Sequence, residues 1–230
     1  KGRIYSINPQ AKIVDVSHEI RPQSIAEGAF IIYSISPYFE KAIHVGVVDP
    51  GVGTDRKGII IECRNSYFIG PDNGLLIPAA KKMGIKNIYE IKMDRNVSPV
   101  FHGRDVFAPT AARLSAGEQV SKLGEKIYEY VDLDFGEPSR EGNKIKGKIL
   151  FIDRFGNIIT NIRNVEADRF SLRIGKIERE IKFYPSYGYA RIGEPIAVNS
   201  SGGFLEIAIN QGNAARYFNA REGEEIEIFL

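Results

Sequence analysis

Two short stretches of the sequence hold residue types that can carry chemistry. The first is DPGVGTDR at residues 49–56, in which Asp49 directly follows an apolar run. Ligands bind at the carboxyl ends of strands in α/β folds, so Asp49 is a candidate site residue. The second is FHGRD at residues 101–105, just before an apolar run that ends in proline. A neutral imidazole such as that of His102 can orient or activate water, and Phe101 offers a flat face.

Both stretches also have purely structural interpretations. DPGVG could be a plain turn at a strand end, with Gly51 and Gly53 giving the backbone its freedom. It is not a Walker loop, because the Gly-Lys-Ser/Thr ending is absent, and no helix clearly begins there to make a dinucleotide fingerprint. Asp105 could stabilise the next helix through its dipole, and His102 could be an ordinary loop histidine. GPDNG at residues 70–74 is interpreted mainly as a tight turn.

Two further stretches are rich in polar groups. They are DRFGNIITN at residues 153–161 and NSSGGFLEIAINQGNAA at residues 199–215. A turn explains part of the first stretch. A polar pocket wall that recognises the amine or amide edge of a ligand would explain the rest.

The sequence gives no indication of a catalytic metal. The other two histidines, His18 and His44, lie on or beside other predicted strands, and no HxxxH or CxxC spacing is present. We therefore predict that the site holds no metal.

Composition sets limits on the class of protein. With 230 residues the chain is long enough for one large domain or two modest ones, and a net charge of +2 without a basic block gives no indication of nucleic acid or an anionic membrane as partner. Cys63 is the only cysteine, so an internal disulfide is excluded and a reducing, cytoplasmic setting is the simpler interpretation. We find no run of 18 apolar residues, so we expect no membrane span.

The pattern along the chain predicts two domains. In residues 1–135, strand-like runs alternate with helix-like stretches, beginning with a strand at 13–16, which predicts an α/β domain with a largely parallel central sheet. A polar linker covers residues 133–144. In residues 142–230 the helix signals fade, and short apolar runs separated by turn residues predict a smaller all-β domain, a barrel or sandwich.

Taken together, the motifs resemble a known family. VDPGVGTDR, PDNG, FHGRD, DRFGNIITN and NSSGGFLEIAINQGNAA occur in the order typical of the S-adenosyl-L-methionine hydroxide adenosyltransferases, hydrolytic relatives of the fluorinating and chlorinating enzymes. The resemblance covers nearly the whole chain. It implies an N-terminal α/β domain, a C-terminal β-barrel domain and a homotrimer with the site at the subunit interface. The implied reaction is hydrolysis of S-adenosyl-L-methionine to adenosine and L-methionine, with no cofactor.

The resemblance also implies roles for individual residues. The family's catalytic Asp, Arg and His correspond to Asp49, Arg56 and His102. Substrate contacts would fall on five residues: Phe101 on the sugar or base, Asp153 on the methionine amine, Asn157 on adenine, Tyr187 stacked on adenine, and Ser201 on the methionine carboxylate. Ser200 is adjacent to Ser201, and the choice between these two serines stays open.

Two comparisons with the family pattern bear on activity. The halogenating relatives carry tyrosines at the positions of Asp49 and His102 and a serine at that of Gly103, so this chain is expected to use water rather than halide. Family members begin with a strand and a TDFG stretch that would precede Lys1, so the first domain is expected to lack its N-terminal strand. A module that binds adenosine or S-adenosyl-L-methionine without turnover is therefore the main alternative. A nucleoside hydrolase and a purely structural trimer are the others.

Overall fold

The architecture is that of a computed structural model, which describes residues 1–93, 97–163, 165–200 and 202–230. The chain separates into two compact units, Lys1–Asp134 and Phe135–Leu230. Within the described residues, no helix is both long enough and apolar enough to cross a membrane.

The first unit combines short helices with one sheet. Its helices are α1 (Gly2–Ile7), α2 (Ile25–Ile35), α3 (Ile77–Met83), α4 (Ala108–Ser115) and α5 (Val120–Leu123), and a π-helical turn at Gly103–Phe107 leads into α4. Its strands are β1 (Ile43–Val45), β2 (Gly58–Cys63), β3 (Tyr67–Pro71), β4 (Ile85–Ile91) and β5 (Gly124–Ile127), in the sheet order β1-β3-β2-β4-β5.

The fold class predicted from the sequence is wrong, because this sheet is mixed and mostly antiparallel. Only β1 and β3 pair in parallel; the pairs β2–β3, β2–β4 and β4–β5, which complete the sheet in the described residues, are antiparallel. Residues 13–16, predicted as a strand, form neither helix nor strand. The chain is mostly β, and the first unit is not a largely parallel α/β domain.

Burial explains why the sequence suggested a parallel sheet. Ile59, Ile60 and Ile61 of β2 are all at most 1% exposed, so consecutive residues are covered on both faces of the sheet. A strand buried on both faces is a continuous apolar run, which is the usual signature of a parallel strand. The connection from β2 to β3 is only residues 64–66, and so short a link can join only antiparallel neighbours.

The second unit is a closed β-barrel. Its strands are β6 (Ser139–Glu141), β7 (Lys144–Ile152), β8 (Ile158–Arg163), β9 (Arg169–Ile174), β10 (Ile177–Phe183), β11 (Pro195–Asn199), β12 (Phe204–Ile209) and β13 (Glu225–Phe229). Seven strands close a ring in the order β13-β9-β10-β11-β12-β8-β7, because β13 also pairs with β7, and β6 adds to the outside of β7. In the described part of the ring only β10 and β11 run in parallel.

The barrel has a core of its own. Inward-facing side chains that are at most 1% exposed include Ile149, Leu172, Ile207 and Ile226, and α6 (Ala214–Phe218) buries Phe218 in the same cluster. The polar motif at residues 153–161 begins in the connection between β7 and β8 and continues into β8, and the motif at residues 199–215 includes β12.

Candidate active site

The loop between β1 and β2 carries the first two predicted catalytic residues. Gly53 in this loop has φ +79°, and a Cβ there would lie 2.5 Å from the carbonyl oxygen of Pro99. Only glycine allows this close approach without strain. The loop thus packs against the segment that precedes His102, which brings the two sequence motifs together.

Asp49 and Arg56 form a two-bond ion pair. Arg56 Nε donates to Asp49 Oδ1 at 3.1 Å, and Nη2 donates to Oδ2 at 2.5 Å. Their side chains are only 6% and 8% exposed. A bidentate pair of this kind fixes the relative orientation of the carboxylate and guanidinium planes. Because the pair is buried, its charges are screened less by solvent than those of a surface pair.

Arg56 also contacts His102. Nη2 of Arg56 lies 2.9 Å from Nδ1 of His102, and Nη1 donates to the carbonyl oxygen of Lys57 at 2.9 Å. A guanidinium has only donors, so Nδ1 must accept, and the proton of the neutral ring is assigned to Nε2. His102 is buried, and the structure therefore presents a carboxylate, a guanidinium and an imidazole as one connected group.

Phe107 forms the apolar side of this group. Its ring is fully buried, lies 5.4 Å below the Arg56 guanidinium carbon and meets the His102 ring edge-on at 6.5 Å between centroids. The π-helical turn Gly103–Phe107 sets the relative position of His102 and Phe107. Phe107 was not predicted from the sequence as a site residue, because its place in an apolar run gave no signal beyond core packing.

An open pocket of about 430 Å³ adjoins Asp49. It is lined by residues 17–18, 20–23 and 47–50. Phe101, the neighbour of His102, is 53% exposed and carries the Arg104 guanidinium 4.7 Å from its ring centroid. Arg104 in turn pairs with Asp105 at 2.7 Å, so Asp105 neutralises a surface charge and is not part of the connected group around Arg56.

In the second unit, Asp153 and Asn157 close a tight turn. Asp153 Oδ1 accepts from the backbone N–H of Phe155 at 2.8 Å and of Asn157 at 2.9 Å, and Oδ2 accepts from Asn157 Nδ2 at 3.0 Å. Asn157 is buried, whereas Phe155 is exposed. The two predicted contact residues are therefore neighbours that hold each other in place.

Tyr187 lies close to the same turn. Its hydroxyl donates to Glu206 Oε1 at 2.5 Å. Burial and this carboxylate raise the pKa of Tyr187, and burial raises the pKa of Glu206; the charge of Asp153 contributes to both shifts, which places it nearby. Glu206 was not predicted from the sequence as a site residue, although a single acidic residue in the apolar run FLEIAI was a usable signal.

The remaining predicted contact, Ser201, lies outside the described residues. Its neighbour Ser200 has its hydroxyl turned to the backbone N–H of Phe204 at 3.3 Å. Within the ranges that the structure describes, no group of three or more His, Cys, Asp or Glu side chains is placed to hold a metal ion.

The buried acid–guanidinium–imidazole group beside an open pocket is typical of enzymes that act on a small molecule. Comparison with known families makes this specific. Residues 1–124 match the SAM hydroxide adenosyltransferase N-terminal domain, and residues 147–227 match the C-terminal domain of the same family. The chain belongs to the SAM hydroxide adenosyltransferase family, which confirms the resemblance found in the motifs.

Individual relatives agree with this assignment. A protein of Methanocaldococcus jannaschii named (R)-S-adenosyl-L-methionine hydrolase is 40% identical, over 99% of this chain and 88% of its own. A fluorinase of Actinopolyspora mzabensis is 26% identical, over 99% of this chain and 90% of its own. The crystal structure of an uncharacterized conserved protein from Thermotoga maritima superposes with a TM-score of 0.90 at 36% identity, covering 100% of this chain and 93% of that one.

Proposed function

We propose that this protein hydrolyses S-adenosyl-L-methionine to adenosine and L-methionine by in-line attack of water on C5′ of the ribose. The water oxygen bonds to C5′, the C5′–S bond breaks, its electron pair goes to sulfur, and the water gives up one proton. The observation that carries the proposal is Arg56 held between Asp49 and His102, in a chain that is 40% identical to a protein named as such a hydrolase.

The chemistry of the leaving group makes this minimal machinery sufficient. A sulfonium departs as a neutral thioether, so no general acid has to protonate it and no cofactor is needed. The difficult step is to hold a water molecule in line behind C5′ in a site shielded from solvent. The low exposure of the Asp49 and Arg56 side chains suits that task.

Each member of the group then has a role. The Nε2–H of His102 holds the attacking water through its oxygen, because Nδ1 is occupied by Arg56. The Arg56 cation favours the hydroxide form of that water. Asp49 orients Arg56 through two bonds and accepts the released proton directly or by a hydrogen bond.

The substrate contacts are carried by residues of both units. We assign Phe101 to the sugar or base, Tyr187 to adenine, Asp153 to the methionine amine, Asn157 to adenine and Ser201 to the carboxylate. Phe101 and Tyr187 are 53% and 42% exposed, so both rings are available for stacking. The Asp153 carboxylate can accept one more bond beyond the three that it takes within its turn.

Water as nucleophile agrees with Asp49, His102 and Gly103, the residues from which the family resemblance implies hydrolysis and not halogenation. The hydrolase relatives are named for the (R) form of S-adenosyl-L-methionine, which adds a stereochemical point about the sulfonium centre. We therefore propose the (R)-sulfonium epimer as the preferred substrate. We also propose a cytoplasmic location, consistent with the buried free thiol of Cys63.

Incubation with the separated (R) and (S) epimers in ¹⁸O-labelled water tests the proposal. We expect adenosine labelled at its 5′ oxygen and unlabelled methionine, with faster turnover of the (R) epimer, as read by mass spectrometry. Release of free adenine would identify a nucleoside hydrolase instead. Bound but intact substrate would identify a binding module without turnover.

We further propose a homotrimer in which the first unit of one subunit and the second unit of its neighbour share each site. Co-expression of Asp49→Asn and Asp153→Asn subunits tests this. Two inactive variants should together regain about a quarter of wild-type activity, because a random assembly of equal numbers pairs intact halves in about one site in four. If each site were made within one subunit, co-expression would restore no activity. Separately, light scattering of the wild-type protein should give three times the chain mass.

A further inference from the structure

The turn at residues 71–74 lies against both ends of the loop that carries Asp49 and Arg56. Its residues, PDNG, were predicted to form a tight turn and have no role in the reaction described above. The turn begins where β3 ends at Pro71 and leads into α3. It therefore connects a strand of the sheet to a helix, whereas the loop at residues 46–57 contains neither helix nor strand.

One bond from the turn holds the loop before Asp49. The Asn73 side-chain Nδ2 donates to the carbonyl oxygen of Val48 at 2.8 Å. The other end of the same amide, Oδ1, accepts from the backbone N–H of Leu75 at 3.1 Å. Asn73 thus links the residue that directly precedes Asp49 to the start of α3.

A second bond holds the loop after Arg56. The backbone N–H of Asp72 donates to the carbonyl oxygen of Lys57 at 2.8 Å, and that oxygen also accepts from Arg56 Nη1. The Asp72 carboxylate is buried, accepts from the Val131 N–H at 2.9 Å and lies within the electrostatic reach of Arg56. The guanidinium therefore has one carboxylate as its direct partner and interacts electrostatically with a second one.

We propose that Asn73 is a positioning residue for the reaction, which sets the place of the Asp49 carboxylate by holding the carbonyl of Val48. The proposal rests on the proposed catalytic roles of Asp49 and Arg56. A shift of the backbone at Val48 moves Asp49 with it, and a misplacement of about 1 Å in such a site is enough for large losses in rate.

Two substitutions test the proposal by removing the side-chain N–H of Asn73 that donates to Val48 while keeping an oxygen that accepts from Leu75. Asn73→Asp retains an oxygen for the Leu75 N–H but has no N–H for Val48. Asn73→Ser is the uncharged second variant, since its hydroxyl can still accept from Leu75 but is too short to reach Val48. We expect kcat to fall about tenfold or more in both variants, with KM within about twofold of wild type and the melting temperature nearly unchanged.

Asn143→Asp is the matched control, because its Nδ2 also donates to a backbone carbonyl, that of Leu230, on an exposed surface. An unchanged kcat in Asn73→Asp and Asn73→Ser would overturn the proposal. So would a loss of activity that follows unfolding and is recovered by assaying at lower temperature. Asp49→Asn is assayed in parallel: if it stays active, the catalytic assignment itself fails, whereas an inactive Asp49→Asn beside active Asn73 variants removes only the positioning role.

Discussion

Asp49→Asn is expected to lower kcat for S-adenosyl-L-methionine hydrolysis by about 10²- to 10⁴-fold, the usual contribution of a positioned acid or base. The amide has the shape of the carboxylate, but one of its two ends is an NH₂ group that cannot accept the bond from Arg56. The Arg56 guanidinium, whose side chain is only 8% exposed, then loses its counter-charge and one of its two bonds to residue 49. In the proposed mechanism the released proton also loses its acceptor.

Steady-state kinetics with product detection by chromatography measures this effect, and binding of the intact substrate is followed by calorimetry. Asp55→Asn is the control, because it makes the same chemical change in the same loop on an exposed side chain. We expect it to keep wild-type kcat. If Asp49→Asn kept kcat within about twofold of wild type, the carboxylate would have no part in the chemical step.

His44→Phe is expected to remove part of the loss of stability in acid. His44 on β1 is only 8% exposed, stacks on Phe68 with 4.5 Å between ring centroids, and its Nε2 has no hydrogen-bond partner among the described residues. Burial lowers the pKa of His44 from 6.5 to about 4. The ring is therefore neutral in the folded protein at pH values where it is already protonated in the unfolded chain.

The direction of the pH effect follows from this difference. Between pH 6.5 and 4 the unfolded state binds more protons, so the stability contributed by His44 is fully present above pH 6.5 and declines as the pH falls toward 4. The loss at pH 4 is on the order of 2 kcal/mol once partial screening is allowed for. Phenylalanine keeps the stacking on Phe68 and cannot be protonated.

Urea denaturation at pH 7.5, 5.5 and 4.5, at one protein concentration, measures the difference. His44→Phe should be at least as stable as wild type at pH 7.5 and should lose less stability at pH 4.5. The variant His18→Gln changes an exposed histidine and should show the wild-type pH dependence. If the free energy of unfolding declined equally with falling pH in His44→Phe and wild type, the buried ring would not control acid stability.

The sequence predicted local elements better than it predicted their arrangement. GIIIEC and YFIGP, short apolar runs of the kind that predict strands, form β2 and β3, and Gly84 ends α3 with φ +78°, as is common for a glycine after a helix. Strand direction was predicted wrongly, because direction depends on which neighbour a strand meets. Burial on both faces gives β2 the composition of a parallel strand whatever its direction.

The candidate site shows the same limit. Asp49, Arg56 and His102 were identified from motifs, because their residue types and order carry chemical information. The hydrogen bond from Arg56 to His102 spans distant parts of the chain, and no local pattern encodes it. The contacts of Asn73 and Glu206 were not predicted for a related reason, since the fold alone brings Val48 to Asn73 and Tyr187 to Glu206.

The strand count of the barrel has a consequence for the loop that carries Tyr187. Strand direction reverses at each antiparallel pair around a closed ring. The direction must be the original one again when the ring returns to its first strand, so the number of antiparallel pairs must be even. An odd ring of seven cannot be antiparallel throughout, so at least one neighbouring pair must run in the same direction. That pair is β10 and β11.

Two parallel neighbours cannot be joined by a tight hairpin turn, because the chain has to turn back past the end of the first strand before it enters the second in the same direction. Here Ile196 and Ala197 of β11 pair with Lys182 and Phe183 at the end of β10. Residues 184–194 make this return, and the short helical turn Tyr187–Tyr189 lies on it. The loop is therefore required by parity: an even ring could replace it with a hairpin and would have no segment at that place to present Tyr187.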